Sequence, residues 1–170
     1  MSTTLRAVTE QDCSFLSVWA SHPEITRNTL GRRFPTQELF VLDWIRSSNT
    51  GQFPSRVAFI IQDLEPCGLV QLDQIDWVSK TAWLGIWLIP DARGVGHGAE
   101  ATAEILRYAA RDLGLRQLRL LVRSDNGEAV SLYARFGFQT EGELIDAEYR
   151  DGEFQSLLVM CVDLHKLQSE

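Results

Sequence analysis

The sequence predicts an α/β protein, one mixed and mostly antiparallel sheet of about seven strands with four helices on its faces. Three stretches carry that expectation. Between Arg56 and Ile89, three apolar runs follow one another across short turns, the pattern of an antiparallel meander. From Trp83 to Gly114, an apolar aromatic run passes through a glycine-dense loop into a helical stripe. Near the C-terminus, two further runs meet at Arg150-Asp151-Gly152-Glu153, and Asp-Gly is a strong hairpin signal.

Taken in order, Thr3 to Val8 alternates and reads as a first strand. Thr9 stands as an N-cap with Asp12 three positions on, and a helix to about Ala20 buries Phe15, Leu16 and Trp19. Ser21 to Thr36 is a connection with Pro23, Gly31 and Pro35, made basic by Arg27, Arg32 and Arg33. It reads as a solvated loop or as one that covers a site, with solvation favoured. Thr36 caps a second helix to about Ser48, crowded with Leu39, Phe40, Leu42, Trp44 and Ile45. Packing against the sheet is the expected use of that surface, and lining a groove is the alternative. Arg56–Gln62, Cys67–Trp77 and Trp83–Ile89 are the meander strands.

After the loop, Ala101, Thr102, Ile105, Leu106, Ala109 and Leu113 form one helical stripe, and Gly114 is placed to end it. Gln117–Val122 is a strand, Gly127–Phe136 a helix stopped by Gly137, and Phe138–Tyr149 and Phe154–Asp163 the final hairpin.

The totals bound the answer. The 170 residues suit one domain, 1–170, with one sizeable core. Hydrophobic residues at 45% and charged residues at 23% are those of an ordinary globular chain. A net charge of −7 makes non-specific nucleic-acid binding a poor expectation and suits a cationic substrate such as an amine. Cys13, Cys67 and Cys161 are odd in number and scattered, so neither a disulfide framework nor a metal site is indicated. The N-terminus lacks a basic start followed by an apolar run, and no apolar run approaches ~18 residues, so a cytoplasmic location without a membrane span is expected.

The chemistry concentrates at Arg93-Gly94-Val95-Gly96-His97-Gly98-Ala99. Glycines let backbone approach a ligand closely and tolerate positive φ. A helix N-terminus just after them presents unpaired N–H groups and the positive end of its dipole, which suits phosphate. Arg93 adds a full charge. The run has no Gly-Lys-Ser/Thr and is G-x-G-x-G rather than G-x-G-x-x-G, so neither a P-loop nor a dinucleotide fingerprint is present. A glycine-rich connection without a ligand is the plainer alternative.

The loop resembles the pyrophosphate loop of the GNAT N-acetyltransferases, Arg/Gln-x-x-Gly-x-Gly/Ala. The segment Val122 to Phe138, VRSDNGEAVSLYARFGF, resembles the second GNAT motif, in which a strand leads to Asn and then to a helix carrying Ala and Tyr. The tail EGEL…YRDGEF…LLVM is most similar to the branch of ribosomal-protein N-terminal and spermidine acetyltransferases. The resemblance implies a sheet splayed at an acyl-CoA site and acetyl-CoA as co-substrate. It implies that backbone of Trp87, Leu88 and Ile89 holds the pantetheine arm, that the loop from Arg93 to Ala99 holds the pyrophosphate, and that Asn126 hydrogen-bonds nearby. Asn126 reads equally as a helix N-cap. Gly85 is expected to mark a strand bulge. Tyr133 matches the family's general acid, which would protonate the departing thiolate; by spacing alone it serves as well as a core aromatic.

A general base is not evident. Many members carry Glu where this chain has Ala82-Trp83-Leu84, so Trp83 takes that place. Asp73, Asp76 and Glu148 are weak candidates, each more simply a solvated carboxylate. His22 and His97 have no paired acid at a telling spacing. The implied activity is acetyl transfer to a primary amine: a protein N-terminus, a polyamine or an aminoglycoside-like molecule. The alternative is a non-catalytic acyl-CoA-binding domain; Tyr133 favours the enzyme and the missing strand carboxylate the binder. Many members are dimers, which makes a homodimer an expectation, although the sequence shows no seam.

Overall fold

The computed structural model describes residues 3–27 and 36–167. The basic stretch with Gly31, Arg32, Arg33 and Pro35 lies outside them. Seven strands form one sheet in the order β1-β2-β3-β4-β5-β7-β6. They are β1 (Thr4–Ala7), β2 (Val57–Gln62), β3 (Pro66–Asp76), β4 (Thr81–Leu88), β5 (Gln117–Arg123), β6 (Gln139–Arg150) and β7 (Glu153–Asp163). Every neighbouring pair is antiparallel except β4 and β5. That pair is parallel because the chain crosses between them through a helix, and parallel neighbours require such a crossover.

The helices are α1 (Cys13–Ala20), α2 (Pro23–Thr26), α3 (Glu38–Ser47), α4 (His97–Arg111), α5 (Gly127–Arg135) and α6 (Leu164–Leu167). Those expected from the sequence are α1, α3, α4 and α5, while α2 and α6 are single turns. The stripe expected on α4 is buried from Ala101 through Ala109, together with the sheet residues Val70, Leu72, Leu118 and Leu120. Gly114 ends the helix at φ +60, a value glycine adopts without strain. On the other face, Leu16 of α1 and Val41 and Ile45 of α3 pack with Ala58, Ile60 and Leu69.

Several local expectations are corrected. The N-cap of α3 is Gln37 rather than Thr36. Gly85 marks no bulge, because it sits in regular register opposite Gln71. The irregularity falls between Asp73 and Asp76 on β3, where Gln74 takes φ +49. A Cβ at Gly85 would stand 3.3 Å from Gln71 Cγ, so that glycine makes room for a cross-strand side chain. In the C-terminal hairpin, Asp151 at φ +51 and Gly152 at φ +88 are both left-handed, as a two-residue type I′ turn requires.

The capping pair at the start of α1 does more than cap. Asp12 is buried, and Thr9 N–H donates to its Oδ2 at 2.8 Å. The Arg6 guanidinium, on β1, donates to both carboxylate oxygens at 2.8 and 2.6 Å. Burial pushes the Asp12 carboxyl up, but the bonds from Arg6 and Thr9 outweigh it and hold the group below its usual range. We expect Asp12→Asn to lower stability by about 1–3 kcal/mol in urea denaturation. Because the folded pKa is depressed, that difference is full above the unfolded value of about 4 and is lost as pH falls through the folded one. Equal midpoints at pH 7 would remove the pair from the stability account.

Candidate functional site

The site begins where β4 and β5 part. Their ladder joins only Thr81–Trp83 to Gln117–Arg119. β4 then runs on to Leu88, and β5 to Arg123, still paired on its far side with β7. Alternate residues of an antiparallel strand face opposite neighbours. Ile89 N–H donates to Cys67 C=O at 2.9 Å, so Trp87 and Gly85 share that phase and face β3. Ile86 and Leu88 turn their N–H and C=O groups into the gap. The backbone role expected for Trp87 and Ile89 is therefore corrected, because their ladder groups belong to β3. Leu88 and Ile86 are the β4 residues whose backbone faces the gap. The strand's phase could have shown this, but only once one ladder bond was known.

A cleft of about 1290 Å³ runs through this opening. One side is the glycine loop. A turn at Pro90–Ala92 leads to Arg93, and Gly94 (φ +76) and Gly96 (φ +106) bend the chain into α4. Gly96 is the N-cap, and its carbonyl accepts from Ala99 and Glu100 N–H, both at 3.0 Å. The N–H groups before those have no partner within the helix. A Cβ at Gly94 or Gly96 would meet nothing within 4 Å, so open space lies above them. A Cβ at Gly98 would stand 3.4 Å from Leu88 Cδ1 on the cleft floor.

Arg93, Gly94, Gly96, Gly98 and Ala99 line the cleft. Val95 turns its side chain to solvent. His97 is buried, with Nδ1 2.9 Å from Thr3 Oγ1, so the loop has only its backbone to offer there. Arg93 spans two elements: its Nε donates to Leu88 C=O at 3.2 Å, and its guanidinium lies 3.7 Å from Glu24 of α2.

Opposite the loop, Asn126 and Tyr133 border the same cleft. Asn126 Oδ1 accepts from Ala129 N–H at 3.2 Å and caps α5, which leaves its amide N–H groups for another partner. Tyr133 is buried edge-on against Phe138, with ring centroids 5.6 Å apart. Its phenol, protonated at neutral pH like any tyrosine, is pushed up further by burial to about 12.

Of the carboxylates considered, Asp73 lines the cleft, but Arg56 donates to it at 2.9 Å and Gln74 N–H at 2.9 Å. Asp76 accepts from Val78 and Ser79 N–H in the β3–β4 turn. Glu148 is not solvated as expected: it is 4% exposed, Arg150 donates to it at 2.8 Å, and it does not line the cleft. Trp83 does. The apolar excess on α3 serves both uses weighed for it. Ile45 packs on the sheet, Phe40 and Trp44 line the cleft, and Val41 does both. Arg56 and Gln71 were missed, as nothing in their local sequence marks them. Among the described residues, no three of His, Cys, Asp and Glu gather as a metal site, and no helix is long and apolar enough to cross a membrane.

A parted parallel strand pair, a glycine loop opening a helix in the gap and a tyrosine above it together define an acyltransferase-type cleft. The acetyltransferase (GNAT) domain profile matches residues 3–139, and the chain belongs to that family. Among curated proteins it is similar to spermidine N(1)-acetyltransferase of Escherichia coli (strain K12), 31% identical over 113 residues. That match spans 66% of this chain and 61% of the relative, so about three fifths of the relative's length is covered. It is similar also to ribosomal-protein-serine acetyltransferase of the same strain, 26% identical over 103 residues, 61% of this chain and 58% of that one. The crystal structure of spermidine N-acetyltransferase from Vibrio cholerae in complex with CoA and spermine superposes with a TM-score of 0.90. It is 23% identical with 98% of both chains covered, a likeness of fold.

Proposed function

We propose that this chain, as one domain over residues 1–170, transfers the acetyl group of acetyl-CoA to a primary amine by direct attack. The observation that carries the reading is that a β4 edge without a strand partner, the α4 N-terminus and Tyr133 all border one cleft. Leu88 and Ile86 would hold the pantetheine arm as an added strand would be held. The loop N–H groups from Gly94 to Ala99, with Arg93, would hold the pyrophosphate. Asn126 would donate its amide to the arm. The amine, neutral when it attacks, adds to the thioester carbon; as the tetrahedral adduct collapses, the C–S bond breaks, Tyr133 O–H protonates the leaving sulfur, and the proton lost by the attacking nitrogen restores the phenol through solvent.

The named relatives support a polyamine and a ribosomal protein as acceptors, and a protein N-terminus or an aminoglycoside-like amine fits the same chemistry. The three free thiols, two of them buried, support a reducing compartment such as the cytoplasm. Trp83 in place of the expected strand carboxylate favours a second reading, an acyl-CoA-binding domain without turnover.

Self-association belongs to the same proposal. β6 is an edge strand of twelve residues, exposed nearly throughout. Leu144, Ile145, Tyr149 and Phe154 present apolar surface on its hairpin. Such an edge invites pairing with a second copy. A dodecameric neighbour, spermidine N-acetyltransferase from Vibrio cholerae, with a TM-score of 0.81 at 24% identity over 99% of both chains, supports it.

Acetyl-CoA at ~100 times its dissociation constant should stabilise the protein by roughly 2.7 kcal/mol in thermal unfolding. Gly96→Val should abolish that shift while the variant still folds, since φ +106 excludes a β-branched residue from this loop conformation; an unchanged shift would sink the loop assignment. Tyr133→Phe should lower thiol release by roughly 10²–10⁴-fold with CoA affinity kept within a few-fold. Full activity in that variant removes Tyr133 from the chemistry, and CoA binding without turnover of any amine favours the binding domain. Light scattering should report an oligomer that Ile145→Lys reduces; a native monomer overturns the edge pairing.

A further inference from the structure

We infer that the acceptor end of this cleft takes an amine carried on an apolar body with a single positive charge, and that it excludes polyamines. The inference rests on the acetyl-transfer reading above and narrows its acceptor. The evidence is the charge and surface of the wall on the α1–α3 side. Phe40 and Trp44 of α3 and Trp83 and Trp87 of β4 all line the cleft. Arg56 lies over the Trp44 ring, 5.3 Å from its centroid, and bonds Asp73 at 2.9 Å. The polar feature set among these aromatics is thus an ion pair, neutral as a unit. Its side chains are 23% and 28% exposed, and Arg56 Nε is buried without a partner.

The rest of the described lining offers no acidic surface. Its other carboxylate is Glu128, at the start of α5, and its other cations are Arg93, Arg123 and Arg135. Arg93 and Arg123 are offset by Glu24 and Asp125, at 3.7 and 2.6 Å. The net charge of −7 therefore does not extend into the cleft, which is near neutral to cationic.

A polyamine brings several ammonium groups, and each one desolvated without a carboxylate carries a large penalty. Asp73 is already engaged, and its partner Arg56 repels a second cation. One amine on an apolar body fits instead: its body covers the aromatic wall, and its charged form meets ring faces before it loses a proton.

The test uses the full chain with three acceptors. Phenethylamine represents a free apolar amine, phenylalanyl-leucyl-alanine amide a chain terminus, and spermine the polyamine. CoA binding is first measured by calorimetry, and thiol release from acetyl-CoA then gives kcat/KM for each amine. At least one apolar monoamine should exceed spermine by about tenfold or more, and whichever of the two reacts identifies the source. In folded Arg56→Gln, which leaves Asp73 facing the cleft without its guanidinium, that preference should narrow. Spermine turned over as fast as either monoamine, CoA bound with none of the three acetylated, or an undiminished preference in Arg56→Gln overturns the inference. Failure to bind CoA overturns the acetyl-transfer reading itself, so the two failures are distinguishable.

Discussion

The structure depends on how briefly β4 and β5 stay together. Three residues of each pair, and then two strands of one sheet part company. β5 can afford this because it is held from its other side by β7, whose ladder runs the length of the strand. β4 is likewise held by β3 as far as Leu88. Each strand loses one neighbour and keeps the other, so neither loses its place. What remains is a row of backbone donors and acceptors inside the protein, an arrangement that persists only where water or a ligand can satisfy them.

The crossover fills the gap with complementary chemistry. The chain that joins β4 to β5 must leave the sheet at the opening and return through α4, so the helix N-terminus falls beside the parted strands. Gly94 and Gly96 make the tight entry feasible, since both take positive φ. His97 turns its ring away and ties α4 to Thr3, which leaves the loop's backbone facing the cleft. On the far side, α5 starts at the cap Asn126 and brings Tyr133 to the cleft, where burial raises the phenol further above neutral pH. The cleft thus combines a strand edge, a glycine turn at a helix N-terminus and a phenol, the parts the proposed acetyl transfer needs.

The family profile spans the glycine loop, α5 and the aromatic wall alike. The wall proposed to face the acceptor comes from α3, from Arg56 just before β2 and from β3 and β4, and it presents aromatic rings and the Arg56–Asp73 pair. A fold likeness to spermidine acetyltransferases does not by itself assign an acceptor.

Local rules made the elements legible. The stripe on α4, the left-handed Asp151-Gly152 turn, the Thr9–Asp12 pair and the glycine loop each lie within a few residues, and propensity, spacing and φ preference are set at that range. Tyr133 and Asn126 were found because a motif of short span contains them. Pairing phase and cross-chain contact were not legible. Which face of β4 meets the gap depends on its register with β3, and this moved the backbone role from Trp87 and Ile89 to Ile86. Whether Glu148 is solvated or buried depends on Arg150 and the twist of the hairpin. The joining of Arg56 to Asp73 over Trp44 depends on three elements meeting. By itself, the sequence determined which elements form and where a glycine loop opens a helix, because those follow from neighbours along the chain. Only the tertiary structure decided which groups are left unpaired and what faces the acceptor, because those follow from neighbours in space.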